Sequence, residues 1–170
     1  MATSTSDAAR HDNIAEPANP GSAVALLSND RYSVLVTAAG AGYGMWQGLD
    51  ITRWREDSTR DCWGQFCYIR DLTDNDLWSI GKQPIFRPLN VYKHAFHGDR
   101  AEFVCHAGDI EIVSKICVAS DVDAEVRVLM IMNHGTRERT LELTSYAEVC
   151  LINRRADMAL SLIHISSPRD

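Results

Sequence analysis

Asp109-Ile110-Glu111-Ile112-Val113-Ser114-Lys115-Ile116-Cys117-Val118 is the stretch that decides the fold. Ile110, Ile112, Ile116 and Val118 fall on one face of an extended chain, and Asp109, Glu111 and Lys115 fall on the other. Period two with one apolar side is the pattern of a half-buried strand, because successive side chains of an extended backbone point to opposite faces. Just upstream, Ala101 to His106 has strand character too, and Ala107-Gly108 between the two segments predicts a hairpin. Just downstream, Val126, Val128, Met130 and Met132 alternate with Glu125, Arg127, Leu129 and Ile131. That segment is apolar on both faces at its end, which predicts a central strand. Asn133-His134-Gly135-Thr136 then reads as a turn, with Gly135 available for positive φ.

Working outward, Arg139 to Val149 reads as the next strand, with Leu141 and Leu143 on the face opposite Glu142 and Thr144. Earlier strands are expected at Tyr32 to Thr37, Gly64 to Arg70 and Leu77 to Ile80. Between them there is no amphipathic stretch of the ten or more residues an α/β fold would need. Short strands at regular spacing predict an all-β, antiparallel β-sandwich. Residues 1–22 are rich in Ala, Ser, Asp, Asn and Pro without periodicity and read as a disordered arm or linker, leaving residues 23–159 as the sandwich. Residues 160–170 change character abruptly. Leu160-Ser161-Leu162-Ile163-His164-Ile165-Ser166-Ser167-Pro168-Arg169-Asp170 resembles translated sequencing-adapter DNA, so it is expected to be a non-native tail, against the alternative of a final strand.

The 170 residues suffice for one cored domain, and 45% hydrophobic content is ordinary. A formal net charge of -6 disfavours nucleic acid as a partner. No apolar run reaches the length of a membrane span. The odd set Cys62, Cys67, Cys105, Cys117 and Cys150, widely spaced, reads as reduced, mostly packed thiols and implies a cytoplasmic setting. His94, His97, Cys105 and His106 match no standard zinc spacing, and adjacent Cys105 and His106 would point to opposite faces of a strand. Surface histidines and a packed thiol are therefore expected there, with no metal or other cofactor.

All four tryptophans, Trp46, Trp54, Trp63 and Trp78, fall in one window with Tyr43, Tyr68, Arg53, Arg55, Arg60, Asp50, Glu56, Asp57, Asp61 and Asp71. Aromatic faces suit the C–H side of a pyranose, and charged groups suit its hydroxyls. Buried tryptophans with surface ion pairs would give the same composition, and composition alone favours that reading. Gly40-Ala41-Gly42-Tyr43-Gly44 lacks the Lys-Ser/Thr of a P-loop and a following helix. It reads as a flexible turn or a close approach of backbone to a ligand. Glu56 and Asp57 could pair for acid catalysis, but Arg53, Arg55 and Arg60 nearby would lower their pKa values, opposite to what a general acid needs. No nucleophile elbow is present, and the residues outline no catalytic centre.

A series of stretches in consistent order carries a resemblance. They are Leu26 to Val34, Thr37 to Tyr43, Leu49 to Asp57, Asp61 to Gly64, Tyr68 to Asp71, Leu77 to Ser79, Asn133 to Arg137 and Leu143 to Val149. From about Leu26 to Ala159 the chain resembles the N-terminal β-sandwich domain of glycoside hydrolase family 94, formerly glycosyltransferase family 36, as found within cyclic β-1,2-glucan synthases. The resemblance implies a supersandwich and inverting phosphorylase-type chemistry on β-glucosides, with inorganic phosphate as co-substrate. It further implies a catalytic α/α barrel C-terminal to the sandwich, a homodimer, and a parent protein anchored at the inner membrane. The chain departs from the family pattern at Asp30, where Gly is usual and a left-handed turn is still accessible to Asp. It departs again at Gly44-Met45-Trp46, where Ser and Arg are more usual.

Three functions follow. The first is a module of a carbohydrate-active enzyme, catalytically silent by itself for want of the barrel, in which Tyr43, Trp46, Arg53, Trp54, Arg55 and Asp57 contact a β-glucan or oligosaccharide. Alternation would set Arg53 and Arg55 on one face and Trp54 on the other. The second is a free-standing carbohydrate-binding module, and the third a scaffold without sugar affinity.

Overall fold

The computed structural model describes residues 24–55 and 60–159. The expected arm (1–22), Asp57 and the expected tail (160–170) fall outside the described residues. Among the described residues twelve strands follow in order: β1 Val24–Ser28, β2 Tyr32–Thr37, β3 Gly42–Trp46, β4 Leu49–Thr52, β5 Gln65–Asp71, β6 Asp76–Ser79, β7 Val91–Phe96, β8 Arg100–Ala107, β9 Ile110–Val118, β10 Glu125–Asn133, β11 Leu141–Ala147 and β12 Val149–Ile152. They form three sheets, ordered β1-β2-β3-β4-β12, β10-β9-β8-β7 and β11-β5-β6. Every pairing is antiparallel.

The four-stranded sheet is the shared wall. One half of its inner face meets the five-stranded sheet through Ala101, Phe103 and Ile116 against Ala25, Leu27, Tyr32, Val34 and Val36. The other half meets the three-stranded sheet through Cys105, Ile110 and Ile112 against Ile69, Trp78 and Ile80. The isoleucine face of β9 thus supplies both clusters, as its period-two pattern requires.

The β8–β9 hairpin forms as expected, with Gly108 at φ 60 in its turn. Other expectations are corrected. β10 is an edge strand and not a central one. Only part of its apolar surface finds cover, with Leu129 packed on the core while Val126, Val128 and Ile131 stay exposed. Gly135 does not use positive φ. His134 N–H donates to the carbonyl of Asp109 across 2.9 Å. A Cβ on Gly135 would crowd the exposed Asp109 side chain, 2.7 Å from its Oδ2, which would have to turn aside. The strand expected at Arg139 to Val149 breaks after Ala147, because the chain crosses there to another sheet and resumes as β12 beside β4.

The glycine run at residues 40–44 is part turn and part strand. Gly40 takes φ 88 in a turn closed by Thr37 N–H donating to Ala41 O at 2.8 Å, and β3 begins at Gly42. The close approach here is of backbone to backbone: Gly42 N–H donates to Trp63 O at 3.1 Å. A Cβ on Gly64 would sit 1.8 Å from the Gly42 carbonyl oxygen. Asp30 does take the left-handed turn, at φ 73.

Candidate functional site

On β3, Tyr43 and Trp46 are three residues apart and so face opposite sides of the sheet. Tyr43 pairs with Leu35 and points outward, away from the core face that β2 builds from Tyr32, Val34 and Val36. Trp54 lies two residues beyond the end of β4, and its ring packs on Tyr43 with centroids 5.4 Å apart. A third group completes the cluster from 100 residues beyond Trp54. Arg154 opens a helical turn over 154–159, started by Asn153, whose Oδ1 accepts the Arg155 N–H at 3.0 Å. Its guanidinium carbon lies 4.2 Å from the Tyr43 ring centroid and 5.7 Å from that of Trp54, within cation–π range.

Two arginine forks fasten this turn to the sheet, and they run in opposite directions. Arg154 of the turn donates to Asp50 of β4 through Nε and Nη2 at 3.0 and 3.1 Å. Arg53 from the end of β4 donates to Asp157 of the turn at 3.2 and 2.9 Å, and to Glu148 at 2.5 Å. Each segment therefore gives an arginine to the other's aspartate. The Asp50 side chain is only 6% exposed, so the Arg154–Asp50 pair is the more sheltered one. Burial works against the charge on Arg154, but the bonds from Asp50 and Tyr43 prevail and raise its pKa. Bonds from Asp157 and Glu148 raise that of Arg53.

The arrangement unites Tyr43, Trp54 and Arg53 and sends the other candidates elsewhere. Arg53 and Trp54 meet the same turn, contrary to the separation expected from alternation, because β4 ends at Thr52 and its register no longer applies. Arg55 lies over Trp63 at 5.4 Å, with its Nε buried and unpartnered among the described residues. Trp46 sits at the opposite side of the sheet, its Nε1–H donating to Asp123 at 2.7 Å. Asp123 also accepts from Arg31 and Asn29, and these bonds, Trp46's first, hold its carboxyl below the ordinary range. Trp78 is core, and the tryptophan window is thus divided between core and surface.

The histidine–cysteine group does not assemble. His94 packs inward among Tyr92, Phe96 and Phe103, so it is not a surface residue as expected, while His106 stacks on His134. Cys105 is fully buried, and burial pushes its thiol up to about 12. Among the described residues no three His, Cys, Asp or Glu side chains are set to hold a metal.

The profile of the family described as "Glycosyl hydrolase 94, supersandwich domain" matches residues 10–164. The chain belongs to this family. Among curated proteins, the chain is 40% identical over 144 residues to the cyclic beta-(1,2)-glucan synthase NdvB of Rhizobium meliloti (strain 1021), covering 85% of the chain. It is 25% identical to the N,N'-diacetylchitobiose phosphorylases of Vibrio proteolyticus and Vibrio furnissii, covering 85% and 79% of the chain. The chain spans 5% of the length of the synthase and 19% and 18% of the two phosphorylases. The glycosyl hydrolase 94 supersandwich assignment agrees with the antiparallel all-β architecture and with the sequence motifs that carried the resemblance. The sequence reading placed Asp50 in the aromatic and charged window without singling it out, and it missed Glu148, Arg154 and Asp157 as parts of the cluster.

Proposed function

We propose that this supersandwich domain is the carbohydrate-contacting, site-shaping module of a larger β-glucan-active enzyme of phosphorylase or glucan-synthase type. The catalytic acid and the phosphate chemistry would belong to an α/α barrel partner, and the Tyr43–Trp54 surface with Arg53 would meet the oligosaccharide beside it. The observation that carries the reading is the joining of two aromatic rings and two arginines on one outward face, in a chain whose relatives are named for glucan synthesis and chitobiose phosphorolysis. Ring faces and fixed charged groups are what a pyranose needs for stacking and orientation. Titrating the chain with β-1,2-linked gluco-oligosaccharides, with Trp54→Ala as the comparison, tests it. Saturable binding lost in Trp54→Ala supports the proposal, and no binding at millimolar sugar sinks it.

A second reading, a scaffold without sugar affinity, is favoured by one feature: both arginines of the cluster are already engaged by Asp50, Glu148 and Asp157. Under that reading the surface holds the 154–159 turn in place and nothing more, and oligosaccharide leaves the tryptophan signal unchanged.

A further inference from the structure

We propose that Arg154 is the positioning residue of the Tyr43–Trp54 platform, an assignment that rests on the carbohydrate reading above. Trp54 lies beyond the last paired residue of β4, so no strand ladder sets its ring. The ring contacts that define its place are Tyr43 at 5.4 Å and the Arg154 guanidinium at 5.7 Å. Arg154 in turn cannot rotate without breaking its fork to Asp50, which is among the least exposed charged side chains of the domain. A bidentate fork fixes the guanidinium plane as well as its position. The constraint therefore passes from a buried carboxylate of β4 through a planar cation to two rings. The reciprocal Arg53–Asp157 bond stops the turn from swinging away with Arg154 still attached. A lysine could supply the positive charge but not the fork, so the two variants separate charge from geometry.

The test uses the full chain with Arg154→Met, which keeps most of the stem and removes the charge, and Arg154→Lys. Three quantities are read well below the thermal midpoint. These are the Kd for a β-1,2-linked gluco-oligosaccharide, acrylamide quenching of the Trp54 fluorescence (taken as the difference from a Trp54→Phe chain), and the midpoint itself. Losing a partly desolvated cation–π contact predicts a Kd about tenfold weaker for Arg154→Met, with Trp54 more readily quenched. Arg154→Lys is expected to recover about half of that loss on a logarithmic scale. A Kd within about twofold of the parent chain together with unchanged quenching overturns the assignment, even if the midpoint falls. If the unsubstituted chain binds no oligosaccharide, the carbohydrate reading fails on its own. The positioning role is then decided by quenching, where a change upholds it and no change overturns it. If Arg154→Met does not fold, Arg154→Lys decides by the same readouts.

Discussion

Replacing Gly64 by alanine is the sharpest stability test of the fold. Gly64 holds φ 124, outside the range L side chains adopt readily. Its added Cβ would meet the Gly42 carbonyl oxygen at 1.8 Å and the Gly42 nitrogen at 2.9 Å. Ordinary contact needs more than an ångström of retreat from that oxygen, and both atoms belong to backbone. The retreat would break the Gly42 N–H to Trp63 carbonyl bond of 3.1 Å and pull the 61–64 segment from the start of β3. Backbone strain of about 1–2 kcal/mol, a lost hydrogen bond of about 1 kcal/mol and an overpacking cost of about 1–3 kcal/mol place the total near 4 kcal/mol. Gly108→Ala is the matched control, because Gly108 also has positive φ, at 60, but nothing lies within 4 Å of its added Cβ. Strain alone operates there, at about 1 kcal/mol. Urea denaturation of the two variants measures the difference from their midpoints. Equal losses for Gly64→Ala and Gly108→Ala would refute the backbone-contact argument.

Other consequences can be checked in the same way. Burial holds His94 below its usual pKa, and its Nε2 is buried without a partner among the described residues. The unfolded chain therefore takes up a proton that the folded one refuses once pH drops below about 6.5, so stability falls from there toward the depressed folded value. Urea midpoints measured between about pH 8 and about pH 5 should decline, and His94→Phe should flatten that decline. Asp30→Gly relieves a left-handed φ of 73 and should raise stability by about 0.5 kcal/mol, read as a higher urea midpoint. Cys105, fully buried with its thiol pushed up to about 12, should react with a thiol reagent at the rate of unfolding, and urea should abolish that protection. Rapid labelling of Cys105 in the native chain would contradict its placement in the core.

What could be read from the sequence follows from how local each feature is. The β8–β9 hairpin and the isoleucine face of β9 are set by alternation and one glycine, both visible in a short window. Family motifs carried the supersandwich. The edge position of β10 was illegible, because alternation counts apolar faces but says nothing of which neighbours arrive to cover them. β3 and β4 were missed for a different reason. Two glycines interrupt β3, β4 is only four residues long with the charged Asp50 in it, and both become strands through pairing with β2 and β12. At the candidate site, Tyr43, Trp54 and Arg53 were within reach of residue chemistry. Arg154 was not, because its contact with Asp50 spans 104 residues and depends on the chain crossing between sheets after Ala147. The same gap misled the expectation that Arg53 and Trp54 part company, since strand register stops at Thr52.

The most direct test of the account is residue-resolved: a backbone and indole NMR titration of the chain with a β-1,2-linked gluco-oligosaccharide. The account predicts saturable shifts confined to Tyr43, Arg53, Trp54 and the 154–159 turn, with the Trp46 indole unmoved on the opposite side of the sheet. Shifts centred on Trp46 and Asp123, or none at all, would contradict it.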